Sequence, residues 1–169
     1  RVYENFTNTT DANSIPAHSI WAIVEGGSNT DIANGIYTKK NSGCGLKGSV
    51  AVDIIKDNGE IFQAKFDRPT SKNLWIQFNL KSTVAGTSFD IDGIKQYITD
   101  NLTFEIGEAA ETSRVTAIAL EAINSLGGGG VPLNLEVSDD GITYVNFLDV
   151  ATVDEKWIVD NARITITEI

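Results

Sequence analysis

Carboxylates are the only side chains numerous enough to suggest catalysis, and three pairs of them stand close together in the sequence. The pairs are Asp90 with Asp92, Asp139 with Asp140, and Asp154 with Glu155. General acid–base chemistry needs a second group that drives the two pKa values of a pair apart. Each pair instead has a structural explanation nearby, because the three pairs fall at a helix start, a hairpin turn and a polar loop. We interpret them as structural.

Cys44 and His18 are the single cysteine and the single histidine of the chain. One cysteine excludes an internal disulfide and a cysteine-based zinc cluster. A Cys–His nucleophilic pair would need a third orienting group, which the sequence does not offer. We interpret Cys44 as a small buried hydrophobe. The sequence therefore predicts no catalytic, cofactor-binding or metal-binding residues, and we expect a protein that is not an enzyme.

Two glycine-containing turns could hold ligands. Gly26-Gly27-Ser28 precedes a predicted helix, where a phosphate could bind, but it lacks the glycine and lysine spacing of nucleotide-binding loops. Residues 57–60, Asp-Asn-Gly-Glu, resemble part of a calcium loop without its extended ligand series, so a plain turn is favoured. Trp21, Trp75 and Trp157 could stack on sugar rings if exposed, but buried positions are commoner for tryptophan in strand-like segments.

The net charge of −10 is unevenly distributed over the 169 residues. Residues 68–169 carry seven basic against fifteen acidic side chains. This excess argues against a nucleic-acid partner, which requires clustered lysine and arginine. No apolar run approaches the roughly 20 residues of a membrane span, so no membrane partner is expected. The chain starts at Arg1 and contains no methionine, and we expect a piece of a longer gene product.

The first predicted domain, residues 1–68, is β-rich and contains one helix at about 29–40. An apolar strand over residues 19–24 should be covered on both faces. Residues 49–67 predict a hairpin that turns at Asn58-Gly59 in a type I′ turn. Residues 67–71 contain Pro69 and predict the domain boundary as a short polar linker.

The second predicted domain, residues 69–169, has the order strand-helix-helix-strand-strand-strand. Alternating apolar residues predict a strand over 74–80. Helices are predicted at about 89–102, capped by Ser88 or Asp90, and at about 113–126, capped by Thr112 or Ser113. A hairpin around residues 139–141 and a final strand over 163–167 complete an α+β fold of two small domains.

A combination of short motifs extends over most of the chain and is strongest over residues 14–69. The segments that carry it are Tyr3-Glu4-Asn5, Ile15–Trp21, Val24–Gly27, Asp31–Ala33, Ile36–Lys40, Gly43–Gly48, Phe66–Pro69 and, more weakly, Ile106–Glu108. In this combination the chain resembles the C-terminal portion of the baseplate J-like family of contractile-tailed phages.

The resemblance implies a structural wedge or ring component of a phage tail baseplate, without catalytic residues to carry over. Its expected partners are other baseplate or tail proteins and copies of itself, with no small-molecule substrate. The expected location is the virion tail, after assembly in the cytoplasm of the host bacterium. The alternative is a carbohydrate-binding or adhesin module, which the β-rich segments, the three tryptophans and the Asp-Gly loops suggest.

Overall fold

The computed structural model describes residues 1–169, which form two compact units, Arg1–Thr70 and Ser71–Ile169. Each unit contains strands and at least one helix, which confirms the α+β fold of small domains. None of the three helices has the length and the apolar character needed to cross a membrane.

The first unit contains a three-stranded sheet with a helical crossover. Its strands are β1 (Val2–Asn5), β2 (Ser19–Ala22) and β3 (Gly45–Lys47), and β2 lies in the centre. β1 is antiparallel to β2, whereas β3 is parallel to it. A parallel neighbour requires a crossover connection, which α1 (Asn29–Lys39) supplies. The central position of β2 explains its nearly continuous apolar sequence.

Helix α1 begins where the sequence predicts. The Ser28 hydroxyl accepts a hydrogen bond of 3.1 Å from the Asp31 N–H, and Asp31 adds a negative charge to the first turn. Ala33 is the buried residue of the helix, while Ile32 and Ile36 are only half-buried. The apolar face of α1 is therefore incompletely covered within the chain.

The predicted hairpin is present as β4 (Val50–Ile55) and β5 (Ile61–Phe66), and Val52 lies opposite Ala64 as the alternation requires. The predicted type I′ turn is wrong, because Gly59 is the one turn residue with positive φ, at +81°. The loop instead spans five residues between the strands. Gly59 N–H donates to Lys56 O at 2.9 Å, so only one left-handed residue is needed.

The second unit is organised around a 13-residue strand, β6 (Thr70–Ser82). The division between the units, after Thr70, lies within residues 67–71, where the boundary is predicted. The description of this stretch as a linker is wrong, because the chain becomes extended and paired directly after Pro69. α2 (Ile91–Asn101), β7 (Ala110–Glu111), α3 (Thr112–Ser125), β8 (Gly130–Ser138), β9 (Phe147–Leu148) and β10 (Glu155–Glu168) follow in that order. The short strand β7 is an addition to the predicted order.

The three long strands of this unit form a sheet of order β10-β6-β8, and both helices contribute to one hydrophobic core with it. Leu74, Ile76, Phe78 and Leu80 of β6 point into this core, as their alternation predicts. Asp90 caps α2 by accepting the Gly93 N–H at 3.0 Å. The predicted cap of α3 by Thr112 or Ser113 is wrong, because the chain enters that helix directly from β7.

Two irregularities in the strands were not visible in the sequence pattern. In β10 the residues that face the core change from Trp157 and Val159 to Ile164 and Ile166, a change from odd to even positions. The shift occurs where the Ala162 N–H donates to Asp160 Oδ1 at 2.8 Å. The predicted hairpin around residues 139–141 reduces to a tight turn closed by a single bridge between Val137 and Val145.

Candidate functional site

Asp67 lies at a junction of three segments of the first unit. One carboxylate oxygen, Oδ2, accepts a hydrogen bond of 2.6 Å from the indole Nε1 of Trp21 on β2. The other, Oδ1, accepts the backbone N–H of Ser49 at 2.7 Å and the Ser49 hydroxyl. Lys47 completes the junction, with its Nζ 3.4 Å from the centroid of the Trp21 ring. The carboxylate therefore joins β2 to the segment that leads into the hairpin.

The electrostatics of Asp67 favour its charged form. Partial burial acts to raise the pKa of Asp67, but it is outweighed by the hydrogen bonds from Ser49 and Trp21 and by the charge of Lys47. The pKa is consequently held below its ordinary value of 3.8. A carboxylate that is stabilised in its charged form is poorly suited to accept a catalytic proton near neutral pH.

Arg68 holds the glycine turn that follows β2. Its Nη1 donates to the carbonyl oxygen of Val24 at 3.0 Å and to that of Gly26, and its Nη2 donates to Gly27 O at 2.9 Å. Nη2 also donates to Asn29 Oδ1 at 2.7 Å. The guanidinium thus satisfies carbonyl groups that a left-handed Gly-Gly turn leaves without backbone partners.

The junction brings together residues that are far apart in the sequence but belong to the same motif combination. Trp21, the Gly26-Gly27 turn and the Asp67-Arg68 pair form hydrogen bonds across 41 to 46 residues. The donors and acceptors are directed at one another rather than at an open cavity. The chemical effect of the arrangement is to fix the course of the chain from β2 into α1.

His18 and Cys44, which are distant in sequence, line the same surface depression of about 340 Å³. Each is engaged elsewhere. His18 Nε2 lies 2.8 Å from Asn8 Oδ1, and the Cys44 thiol points at its neighbouring carbonyl, Gly45 O, at 3.5 Å. Cys44 is half-buried rather than fully buried as expected. The two side chains thus share a depression without the orienting contacts of a nucleophile and its base.

The three carboxylate pairs are separated, and each has at least one backbone contact. Asp90 caps α2, as described above. Asp140 accepts the N–H groups of Thr143 at 2.8 Å and Ile142 at 2.7 Å, and these bonds, with one from Ser138, lower its pKa. Glu155 is buried and accepts the N–H of Ala151 at 2.8 Å.

Two of the three tryptophans are unavailable for stacking on a ligand. Trp21 is 6% exposed and Trp157 is 2% exposed. Trp75 is half-buried, with the Arg163 guanidinium 5.7 Å from its ring centroid. On the same side of the second unit's sheet is a polar depression of about 170 Å³, whose lining side chains include Gln77, Asn79, Asn134, Glu136, Thr165 and Thr167.

An apolar groove of about 400 Å³ lies between the β1–β2 surface and α1, and sequence reasoning missed it. Ile20 lines it from β2, Ile32 and Ile36 line it from the helix, and Val2 lines it from β1. Val2 is 61% exposed. Ile32 and Ile36 lie at helical spacing on α1, and in the structure they form the wall of an open groove.

The candidate sites of the chain are therefore a polar junction, an apolar groove and two small depressions. No group of three or more histidine, cysteine, aspartate or glutamate side chains is placed to hold a metal ion. The residues of the junction satisfy one another, whereas those of the groove leave apolar surface open. A scan of protein-family models and a search of curated proteins find no match to this chain.

Proposed function

We propose that this protein is a structural component of a contractile phage tail baseplate, acting through contacts with other tail proteins and with copies of itself. The observation that carries the proposal is the junction of Trp21, Asp67, Arg68 and the Gly26-Gly27 turn. These residues belong to the motif combination that resembles the baseplate J-like family. Their contacts offer a physical explanation for why these residues occur together, since each residue completes the hydrogen bonding of another.

The roles of the polar side chains also support an assembly function. Asp90 serves as a helix cap, Asp140 as a turn acceptor, and Glu155 as the acceptor of a backbone N–H, with its Oε1 also 3.9 Å from the Lys72 ammonium. The acidic second unit would limit association between copies until a specific contact overcomes the repulsion. Both features fit a protein that works through surfaces in the virion.

Co-expression of the full-length protein with the products of adjacent tail genes tests this proposal. We expect co-elution in size-exclusion chromatography with at least one baseplate neighbour, and a mass by light scattering that fits a defined complex. An unrelated acidic protein of similar size serves as the control for charge-driven association. Failure of the full-length protein to associate with any adjacent gene product would contradict the proposal.

A second candidate function is carbohydrate binding, and the polar depression on the second unit favours it. Gln77 Nε2 donates to Glu136 Oε2 at 2.9 Å, and the neighbouring amide and hydroxyl groups offer both donors and acceptors. Trp75 lies on the same side of β6 as Gln77 and Asn79. The buried positions of Trp21 and Trp157 weaken this candidate, because they leave a single tryptophan for stacking.

A glycan array, probed with and without calcium, separates the two candidates. Carbohydrate binding predicts specific signals that disappear in Glu136→Gln, while Glu168→Gln, which changes an exposed residue of β10, should leave them unaltered. A blank array removes this candidate and leaves the assembly proposal unaffected.

A further inference from the structure

The free edge of β1 and the apolar groove beside it form a continuous surface. β1 is an outer strand of its sheet. The N-terminal amine of Arg1 donates to Ile23 O at 2.8 Å, and Arg1 O accepts the Ile23 N–H at 2.8 Å. In an antiparallel pair such doubly bonded residues alternate, so Val2 and Glu4 direct their N–H and C=O groups away from β2. The outer edge of β1 therefore offers unpaired backbone groups.

The side chains of Val2 and Glu4 lie on the same face as their cross-strand partners, Ala22 and Ile20. That face is the floor of the groove, and Ile36 of α1 forms its opposite wall. A strand added to β1 would place every second side chain over this floor, about 7 Å apart. Backbone pairing and apolar burial would thus be satisfied by the same segment.

The charge at the groove differs from that of the chain as a whole. Lys39 and Lys40, at the C-terminal end of α1, also line the groove, and Glu4 is the one acidic residue of the lining. Lys40 Nζ donates to Asn41 O at 3.1 Å and keeps its positive charge. The groove consequently carries one net positive charge in a chain of net charge −10. This difference favours an occupant that carries a carboxylate near the end of its apolar stretch.

We propose that β1 and the groove bind an extended segment of a partner protein, which adds as a strand to β1. The segment has apolar residues at alternate positions and an acidic residue that reaches Lys39 or Lys40. This inference rests on the geometry of the first unit. The identification of this surface as the contact used in baseplate assembly rests on the proposed function, whereas the binding of a strand does not.

The probe is a panel of nine-residue synthetic peptides in which valine, isoleucine or leucine alternates with threonine and an aspartate stands at either end. Binding to the 15N-labelled 169-residue chain is followed by NMR. We expect saturable shifts at residues 2–4 and 32–40 with at least one peptide, together with slower hydrogen exchange of the Val2 and Glu4 amides. Absence of saturable binding by every peptide, or shifts confined to other residues, would overturn the proposal.

Variants of the chain distinguish strand addition at β1 from nonspecific hydrophobic binding of the peptides. Ile36→Asp should weaken binding at least about tenfold, which corresponds to 1.4 kcal/mol. Ile55→Asp is the matched control, because Ile55 is 76% exposed on the hairpin and outside the groove. Val2→Pro should weaken binding by removing an outward N–H, whereas Val2→Ala keeps that N–H and should bind more tightly than Val2→Pro. Equal binding by the Ile36→Asp and Ile55→Asp variants would refute the proposed site.

Charge reversal tests the orientation of the occupant. Replacing Lys39 and Lys40 together by glutamate should weaken binding of the aspartate-ended peptide by about fivefold and improve binding of a lysine-ended version. If the protein dimerises with increasing concentration and Val2→Pro abolishes the dimer, the occupant of the groove is a second copy of this chain. That result would overturn the proposal of a different partner protein. Peptide binding is independent of tail-protein co-elution, so the two proposals fail separately.

Discussion

The indole Nε1 of Trp21 lies 2.6 Å from Oδ2 of Asp67, which is 46 residues later in the chain. This hydrogen bond joins the central strand of the first unit to the residue that precedes Arg68. Because Trp21 is buried and Asp67 is only partly buried, the bond links the core of the unit to its polar junction. The stability of the first unit should therefore depend on both residues.

Asp67→Asn should lower the stability of the first unit at pH 7 by about 1 kcal/mol, allowing for solvent screening of a partly exposed group. The asparagine side chain offers one acceptor oxygen where the carboxylate offers two, so either Ser49 or Trp21 loses its partner. Chemical denaturation followed by hydrogen exchange of peptides from residues 1–70 measures this change. Asp53→Asn, at an exposed carboxylate of β4 that accepts one bond from Gln63, is the control and should have little effect.

The same residue predicts a dependence on pH. The pKa of folded Asp67 lies below its ordinary value of 3.8, so its stabilising contribution is complete above that value and is lost as the pH falls through the folded pKa. The first unit should lose stability below about pH 4, and Asp67→Asn should show a smaller loss over the same interval. If the free energy of unfolding fell equally with pH in the wild-type and Asp67→Asn proteins, Asp67 would not be the cause of the loss of stability.

Arg68→Lys should destabilise the first unit almost as much as Arg68→Ala, by about 2 kcal/mol. A lysine ammonium carries the same charge but cannot reach the carbonyl groups of Val24, Gly26 and Gly27 at once. Faster hydrogen exchange of residues 24–29 is the direct measurement. Lys56→Ala, which breaks only an exposed ion pair with Glu60, should change little. If Arg68→Lys were as stable as the wild-type protein, the positive charge of residue 68, rather than the several N–H donors of its guanidinium group, would be what stabilises the turn.

Two matched tryptophan substitutions should differ sharply. Trp21→Phe removes the bond to Asp67 and weakens the contact with Lys47, at a cost of about 2–3 kcal/mol. Trp157→Phe removes a buried Nε1–H that has no hydrogen-bond partner, which offsets the loss of packing. We expect its net effect to lie within about 1 kcal/mol of zero. Unit-specific hydrogen exchange compares the two, and a larger cost for Trp157→Phe would contradict the expectation.

Two glycines should respond in opposite directions to alanine. A Cβ at Gly48 would overlap the backbone of Phe66, so Gly48→Ala should destabilise the first unit by about 2 kcal/mol or more. Gly35 lies within α1 with no atom near the position of a Cβ, and Gly35→Ala should stabilise the helix by about 0.5–1 kcal/mol. Urea denaturation, monitored by hydrogen exchange of the first unit, determines both signs.

The sequence predicted those elements that depend on interactions between residues close together in the chain. The alternation of apolar residues in β4, β5 and β6 predicted their core faces, and Asp90 caps its helix as expected. The cap of α3 was wrong because β7 pairs with a strand that is distant in sequence. The length of β10 was underestimated because its core-facing residues change from odd to even positions near residues 160–162, which interrupts the alternation.

The junction could be located from the sequence only as a set of motif residues. Asp67 and Arg68 stand beside Pro69, and local reasoning interpreted that stretch as a linker. Their side-chain partners lie between 18 and 46 residues earlier, and side-chain bonds over such separations leave no periodic signal. The groove was missed for a related reason, because the spacing of Ile32 and Ile36 indicates an apolar face without indicating whether another element covers it.

The central position of β6 in its sheet has a consequence for the order of events during synthesis. Its two neighbours, β8 and β10, begin at Gly130 and Glu155, long after β6 has left the ribosome. The first unit, in contrast, has its last junction residues at Asp67 and Arg68 and can close while the second is still being made. Until β8 and β10 have been synthesised, β6 has no strand to pair with and its apolar side chains stay uncovered. The second unit should therefore fold more slowly than the first and be more prone to aggregation in the nascent chain.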